Sequence, residues 1–201
     1  MRASRAEIDA LPSLPLIDPQ FLEASEHQQL LDFARRNEPC FGSVDAADYW
    51  KGRTLLPEAI DDPVIRRILR DTNERIIARL SALLAAELGP QPPLYAELVN
   101  FARWPPGYEL QPHADSENPD GVPHPFPWRD FATVMYLNDD YAGGEIHFPN
   151  LGIEMKPAPR SLIVFPGTLF FLHGVRPVTR GMRHTIASFL TFDPAHRHQF
   201  L

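Results

Sequence analysis

The chain has 201 residues, of which 44% are hydrophobic, and its formal net charge is -7. This length and apolar content suffice for one sizeable core, so a single domain over residues 1–201 is expected. The negative charge gives no general attraction to phosphate backbones, which disfavours nucleic acid as a partner. No apolar run approaches the roughly 20 residues that cross a bilayer, so a membrane is not an expected partner either.

The redox compartment follows from the cysteine content. The one cysteine, Cys40, cannot form an internal disulfide, and the N-terminus lacks the basic start and apolar run of a secretory leader. We therefore expect a cytoplasmic protein. The sequence carries no signal for its oligomeric state.

The N-terminal part, residues 1–93, is predicted to be mostly helical and to support the rest of the fold. Asp18 and Pro19 supply an N-cap and a first-turn proline, and apolar residues then recur at helical spacing as far as Asn37. A first helix is therefore predicted directly after Pro19.

The same start signal returns at Asp62 and Pro63. A long apolar stripe follows, and Gly89 with the proline after it ends the pattern. These features predict a second helix over this stretch. A strand is expected at residues 49–56, between the two helices.

After residue 93 the chain changes to short strand-like runs that are separated by proline, glycine or Asn/Asp clusters. This pattern predicts an antiparallel sandwich or barrel over residues 94–193, flanked by the N-terminal helices. The fold class is therefore α+β, mainly β. The runs are residues 94–104, 131–138, 145–149, 161–166, 168–175 and 184–192.

A proline-rich segment, residues 116–128, interrupts these runs and has no strand pattern. It predicts a long surface loop, and loops of this length in compact domains are commonly functional lids; simple flexibility is the alternative. Arg129 stands at the exit of the loop. Its guanidinium would suit a substrate carboxylate, and an ordinary surface arginine is the alternative interpretation.

His113 and Asp115 are two metal-capable side chains one residue apart. If a strand extends that far, both point to the same face. Two ligands hold a divalent metal poorly, so a third is needed. His173 is the best candidate because it ends an apolar run, although a core histidine that is satisfied by a backbone carbonyl is the alternative.

Arg183 lies ten residues beyond His173. Ten extended residues would span ~33 Å, too far for both side chains to serve one small ligand. A proline and a glycine between them predict that the chain reverses near residues 178–180. An antiparallel hairpin would then bring Arg183 back beside His173, with Thr185 on the same face as Arg183.

The three candidate ligands together with Arg183 resemble the Fe(II)- and 2-oxoglutarate-dependent dioxygenases. From Phe131 onward, the segments YLN, GGE, Phe-Pro and HGV-x-PV stand in the order of the prolyl 4-hydroxylase-like branch. The resemblance covers residues 95–193 and implies a jelly-roll (double-stranded β-helix) core. Arg160 departs from the pattern, since the family often has a turn glycine there, and the geometry of that turn stays open.

The resemblance implies that His113, Asp115 and His173 bind Fe(II). Two histidines and one carboxylate occupy one face of an octahedral ion and leave the other face open. In the family, 2-oxoglutarate and O2 take the open positions. Ascorbate is a candidate reductant.

The resemblance also assigns the residues that hold 2-oxoglutarate. Arg183 can meet the remote carboxylate with two parallel hydrogen bonds, and Thr185 can add a third. Tyr136 matches a tyrosine that contacts this carboxylate in some relatives, and Trp104 stands where many relatives have a tyrosine. Ile146 replaces a common threonine, which would shift more of the anchoring onto Arg183. A structural salt bridge is the alternative for Arg183, and a core tyrosine for Tyr136.

The implied activity is hydroxylation of an unactivated C-H bond with release of succinate and CO2. The implied substrate is a prolyl residue in a peptide or protein, or a small amino-acid-like metabolite. An inert metal-binding scaffold and a zinc hydrolase remain alternatives. The other histidines of the C-terminal part, His184, His196 and His198, are expected at the surface.

Overall fold

The computed structural model describes residues 2–42 and 52–198 of the chain. Three α-helices lie in the N-terminal part: α1 (Arg5–Asp9), α2 (Ala24–Arg36) and α3 (Pro63–Leu88). In the described part of the chain, no helix is long and apolar enough to cross a membrane. The strands are β1 (Leu16–Asp18), β2 (Thr54–Leu55), β3 (Tyr95–Trp104), β4 (Leu110–His113), β5 (Phe131–Tyr136), β6 (Ala142–Gly143), β7 (Ile146–Phe148), β8 (Ile153–Met155), β9 (Leu162–Pro166), β10 (His173–Val175), β11 (Val178–Arg180) and β12 (Arg183–Thr191).

The strands form two main antiparallel sheets. The larger sheet has six strands in the order β1-β9-β5-β12-β3-β2, and the smaller has four in the order β4-β10-β7-β8. Strands β6 and β11 form a separate, short antiparallel pair. Two sheets whose strands alternate along the chain form a jelly roll, or double-stranded β-helix, which confirms the predicted fold class.

Helix α3 follows the predicted signals closely. The side chain of its N-cap, Asp62, accepts hydrogen bonds from the two backbone amides of Val64 and Ile65, and Gly89 ends the helix at φ +78°. The buried stripe packs against the larger sheet, where the Ser188 hydroxyl lies 2.9 Å from the Asn73 side-chain oxygen. The helix therefore covers the outer face of the sheet that carries β12.

Helix α2 begins later than predicted. It starts at Ala24 with Glu23 as its N-cap, and its end at Asn37 agrees with the prediction. Asp18 does not cap it, because residues 16–18 form the edge strand β1, in which Asp18 pairs with Leu162. Strand pairing thus outweighs the local capping signal.

Two predicted strands are shorter than expected. Within residues 168–175, only β10 is a strand, and Leu169–Phe171 form a turn of 3-10 helix before it. Of the strand predicted at residues 49–56, Thr54–Leu55 pair with β3, while residues 49–51 lie outside the described part of the chain.

The turn at Arg160 adopts the left-handed conformation that the family's glycine would favour. Arg160 has φ +76°, and its amide donates to the Tyr136 carbonyl at 2.8 Å. Its side-chain Nε donates to the Leu22 carbonyl at 2.7 Å, and its own carbonyl accepts from the Leu22 amide at 3.1 Å. These three hydrogen bonds offset the ~1–2 kcal/mol that a residue with a Cβ atom loses in this conformation.

Candidate metal and cosubstrate site

His113, Asp115 and His173 lie together at one end of the smaller sheet. His113 ends β4 and pairs directly with His173 of β10, and their ring centroids are 4.5 Å apart. Each carboxylate oxygen of Asp115 lies 3.6 Å from the Nε2 atom of one of these histidines. One potential ligand atom from each residue falls within 4.8 Å of the others.

Asp115 reaches this position without belonging to the strand. Strand β4 ends at His113, so the condition under which one strand face would present both side chains is not met. Instead, the amides of Asp115 and Ser116 both donate to the Gly167 carbonyl, at 3.0 and 2.9 Å. A Cβ atom on Gly167 would lie 2.6 Å from the Arg129 carbonyl oxygen, so this close approach needs glycine.

The two imidazoles are held in the tautomer that binds metals through Nε2. His113 Nδ1 lies 3.0 Å from the Gln111 carbonyl, and His173 Nδ1 lies 3.1 Å from the Phe171 carbonyl. A carbonyl can only accept, so each Nδ1 carries the proton and each Nε2 presents a lone pair. Both lone pairs then face Asp115.

The charge states also suit a cation. Burial would raise the pKa of Asp115, but the nearby His173 and His113 lower it overall, so the carboxylate is ionised. Burial lowers the pKa of His173 to about 4, which keeps it neutral. Burial would also lower the pKa of His113, but its contacts with Asp115 and the Gln111 carbonyl raise it overall.

A buried oxygen of Asp115 without a hydrogen-bond partner among the described residues indicates that a metal ion fits the cluster. In the described part of the chain, Asp115 Oδ2 is buried and has no hydrogen-bond partner. A buried carboxylate oxygen without a partner is costly, and a bound cation would remove that cost. Two imidazole nitrogens and one carboxylate on one side of an open position fit Fe(II), so the residues present suit the implied ion.

Arg183 forms the second half of the site, on the larger sheet. It opens β12 opposite Trp104 of β3 and is only 2% exposed. Its guanidinium carbon lies 5.1 Å from the Trp104 ring centroid and 5.2 Å from that of Tyr136, and Nη2 donates to the Tyr136 hydroxyl at 3.5 Å. The Thr185 hydroxyl accepts from Trp104 Nε1 at 3.4 Å. The four residues assigned to the cosubstrate therefore share one pocket.

This pocket has the electrostatic character that a dicarboxylate requires. No carboxylate lies within ion-pair distance of Arg183 among residues 2–42 and 52–198, which argues against a structural salt bridge. Burial raises the pKa of Tyr136 to about 12, so its hydroxyl keeps its proton. Ile146 is buried beside Val175 as an apolar wall.

The predicted hairpin between His173 and Arg183 is wrong. Residues 178–180 form β11, which pairs with β6, and β10 and β12 belong to different sheets. The chain crosses from one sheet to the other over this stretch. Arg183 thus approaches from the larger sheet, and its partner across the strand is Trp104 instead of His173.

Tyr141 is a pocket residue that the sequence analysis missed. It is 4% exposed, and its ring packs beside the Arg183 side chain at Gly144. Burial raises the pKa of Tyr141, although the Arg183 charge opposes this. Its position two residues before the double glycine of GGE is the signal that could have identified it.

Arg129 is already engaged by an acid. Its Nε and Nη2 donate to the two carboxylate oxygens of Glu97 at 3.1 and 3.4 Å, and its guanidinium lies between the rings of Phe126 and Phe189. Trp128 Nε1 also donates to Glu97 at 3.3 Å. These contacts anchor the end of the loop to β3. A substrate carboxylate at Arg129 stays a prediction and would have to compete with Glu97.

The loop at residues 116–128 contains no helix or strand, as predicted, and the N-terminal segment holds both of its ends. Arg5 Nη1 donates to Glu117 at 2.7 Å, and Nη2 donates to the Pro127 carbonyl at 2.6 Å. Thr168, next to the glycine that positions Asp115, donates to the Asp9 carboxylate at 2.8 Å. Closure of the loop as a lid stays a prediction.

The predicted exposure of the C-terminal histidines is wrong for His184. It is 2% exposed and lies 3.2 Å from a Glu38 carboxylate oxygen, because β12 is a central strand that is covered on both faces. His196 is half-buried and stacks on Trp128 at 3.7 Å. The side chain of His198 is only 8% exposed and lies 3.5 Å from a Glu58 carboxylate oxygen, so the prediction is also wrong for His198.

Comparison with known proteins finds a family that resembles the part of the chain that carries these features. The model of the 2OG-Fe(II) oxygenase superfamily matches residues 99–191, which include the histidine-carboxylate cluster and Arg183. Human prolyl 3-hydroxylase 3 is 39% identical over 82 residues, which are 38% of this chain and 11% of that protein. The chain thus spans only about a ninth of the length of this curated relative.

Solved structures share the whole fold at low sequence identity. A viral collagen prolyl hydroxylase from Paramecium Bursaria Chlorella virus-1 has a TM-score of 0.62 at 19% identity and covers 87% of this chain and 93% of that one. A prolyl hydroxylase from Trichoplax adhaerens, in complex with a hypoxia inducible factor peptide fragment, has a TM-score of 0.68 at 17% identity, over 96% and 90% of the two chains. Residues 99–191 are thus similar to the 2OG-Fe(II) oxygenase superfamily, and the chain shares its fold with solved prolyl hydroxylases.

Proposed function

We propose that this chain is an Fe(II)- and 2-oxoglutarate-dependent hydroxylase that acts on an unactivated C-H bond. The proposed substrate is a prolyl residue in a peptide or protein, or else a small amino-acid-like metabolite. One observation carries the proposal: the cluster of His113, Asp115 and His173 contains a buried carboxylate oxygen without a partner, and Arg183 offers a buried cation without an anion in the described residues. A metal ion and a dicarboxylate would satisfy both.

The residues divide the work between binding and orientation. When bound, the iron and 2-oxoglutarate supply the oxidising chemistry, in which one atom of O2 enters the substrate, the other enters succinate, and CO2 leaves. His113, Asp115 and His173 would hold the ion and would leave positions open for 2-oxoglutarate and O2. Arg183 neutralises the remote carboxylate and can donate two parallel hydrogen bonds to it from its planar guanidinium. A lysine could supply the charge but not this pair of hydrogen bonds.

Hydroxyl groups complete the anchoring of this carboxylate. Thr185 accepts from Trp104 Nε1, so its own proton is available for donation to the ligand. The Tyr136 hydroxyl, which keeps its proton, is a further donor at the same end of the pocket. Both groups act only if the diacid spans from the metal cluster on one sheet to Arg183 on the other.

The similarity to prolyl hydroxylases supports a prolyl substrate. The human relative is named a prolyl 3-hydroxylase, and the Trichoplax structure contains a peptide. The chain carries 26 Asp and Glu against 19 Lys and Arg, which disfavours a nucleic-acid substrate. We therefore rank proline-containing peptides first and free amino acids second.

The test is succinate release in the presence of Fe(II), 2-oxoglutarate and O2, screened across proline-containing peptides, free amino acids and small acids. A true substrate accelerates succinate release and gains one oxygen atom by mass spectrometry. Asp115→Ala should abolish both signals, whereas His27→Ala, a histidine on α2 outside the cluster and the loop, should retain them.

Two outcomes contradict the proposal. No succinate above background with any substrate, together with no binding of 2-oxoglutarate, would favour an inert scaffold. Turnover with zinc and without O2 would favour a hydrolase.

A further inference from the structure

We propose that Tyr141 is a positioning residue of the cosubstrate pocket, whose hydroxyl accepts a hydrogen bond from Arg183 Nε and fixes the plane of the guanidinium. The inference rests on the proposed function, since the guanidinium is held for the remote carboxylate of 2-oxoglutarate. Neither the sequence pattern nor the resemblance assigned a role to Tyr141.

Two unmet polar atoms point to this pairing. In the described residues, the Tyr141 hydroxyl and Arg183 Nε are both buried and neither has a hydrogen-bond partner. A buried polar atom that stays unsatisfied loses the hydrogen bond to water that it had in the unfolded chain. One hydrogen bond between them removes both costs.

The packing around Gly144 puts the two groups side by side. A Cβ atom on Gly144 would lie 3.0 Å from Arg183 Cδ and 3.1 Å from Tyr141 Cε2. Cδ is bonded directly to Nε, and Cε2 is one carbon away from the atom that carries the hydroxyl. The glycine thus leaves room for the arginine stem and the phenol ring to meet.

Lys156 fixes the tyrosine from the other side. Its ammonium lies 4.0 Å from the centroid of the Tyr141 ring and also donates to the Tyr141 carbonyl oxygen. Burial raises the pKa of Tyr141, so the phenol remains protonated and neutral. A neutral hydroxyl can accept from Arg183 without consuming the positive charge that the ligand needs.

The other N-H groups of Arg183 then remain available for the carboxylate of the ligand. A guanidinium has five N-H groups. Tyr141 would take the one on Nε, and Tyr136 takes one on Nη2. One N-H on Nη2 and two on Nη1 are left, which suffice for two parallel hydrogen bonds to a carboxylate. Without Tyr141, rotation about the end of the side chain would misalign this fork.

The test compares two ligands of the Fe(II)-loaded protein by calorimetry without oxygen. The first, 2-oxoglutarate, has the remote carboxylate; the second, 2-oxobutyrate, has the same keto-acid end but lacks it. Tyr141→Phe should raise the Kd for 2-oxoglutarate about tenfold and leave the Kd for 2-oxobutyrate and for Fe(II) unchanged. Tyr95→Phe, the same chemical change at the far end of β3, should change none of them.

A second variant changes the contact itself. Gly144→Ala would push the Arg183 stem and the Tyr141 ring apart while both side chains stay present, so the same selective loss is expected. Because Gly144 has φ +71°, alanine also strains the backbone, and an unchanged Kd for Fe(II) is the check that this variant is folded. Equal weakening of both ligands by Tyr141→Phe, or no weakening of 2-oxoglutarate, would overturn the inference. Failure of the wild type to bind 2-oxoglutarate would instead overturn the proposed function, and the inference with it.

Discussion

Arg183→Met should stabilise the ligand-free protein while it abolishes 2-oxoglutarate binding. Arg183 is 2% exposed, and no carboxylate of the described residues pairs with it. Methionine has a similar length and flexibility but no charge, so it fills the same space without the cost of burying a cation. A residue kept for folding would show the opposite behaviour.

The expected gain follows from the contacts around the guanidinium. Burying a charge costs several kcal/mol after relaxation. The rings of Trp104 and Tyr136 return about 1–2 kcal/mol each, and the hydrogen bonds to Tyr136 and, as proposed above, to Tyr141 return less than about 1 kcal/mol each. A net destabilisation of about 1 kcal/mol remains. For a chain of this size, its removal should raise the melting temperature by about 2–4 °C.

The assay is thermal unfolding with and without Fe(II) and 2-oxoglutarate, in the absence of oxygen. The two ligands should raise the melting temperature of the wild type and have little further effect on Arg183→Met beyond that of the metal. Arg183→Lys, which keeps the charge but loses the fork, should show no stabilisation. If ligand-free Arg183→Met melts below the wild type, the arginine is structural and the reasoning fails.

Three further predictions concern the strands, a buried histidine and the loop. Gly174→Ala would place a Cβ atom 2.6 Å from the Leu110 carbonyl oxygen, so β4 and β10 must separate. We expect the free energy of unfolding in urea to fall by ~1–3 kcal/mol and Fe(II) to bind more weakly. An unchanged free energy of unfolding would contradict this prediction. Burial lowers the pKa of His184, so below about pH 6.5 the unfolded chain binds a proton that the folded chain does not. Wild-type stability should therefore fall more than that of His184→Phe when the pH is lowered from about 7.5 to about 5.5, and parallel curves would exclude this residue. Arg5→Ala and Glu117→Ala should each speed proteolysis within residues 116–128. Each residue also has a contact of its own, to the Pro127 carbonyl and to the Leu169 amide respectively, so the double variant should be faster than either single variant but slower than full additivity gives. Fully additive effects would argue against the ion pair.

The fold was predictable where local signals and packing agree. Helix α3 has a capping aspartate, a first-turn proline and a terminal glycine, and all three act as expected. Helix α2 was misplaced at its start because Asp18 is used by strand β1, whose pairing with β9 depends on residues far away in the chain. Sequence periodicity contains no information about such partners.

The site was predictable in its members and not in its construction. His113, Asp115, His173 and Arg183 were identified by residue type and order. Their arrangement on two different sheets could not be predicted. A short stretch that turns back and one that crosses to another sheet look alike in sequence. The same limit applies to His184, since strand alternation does not reveal that a helix or loop covers the second face.

The division of the site between two sheets has a consequence for ligand selection. The metal cluster belongs to β4 and β10, and Arg183 belongs to β12. The spacing between the two sheets would then set the length of the diacid whose two ends can both be bound. A ligand one methylene shorter would leave one of its ends unattached, and a ligand one methylene longer would have to bend. Core substitutions that alter the sheet spacing should therefore change which oxo-acid is accepted, even when every polar group stays in place.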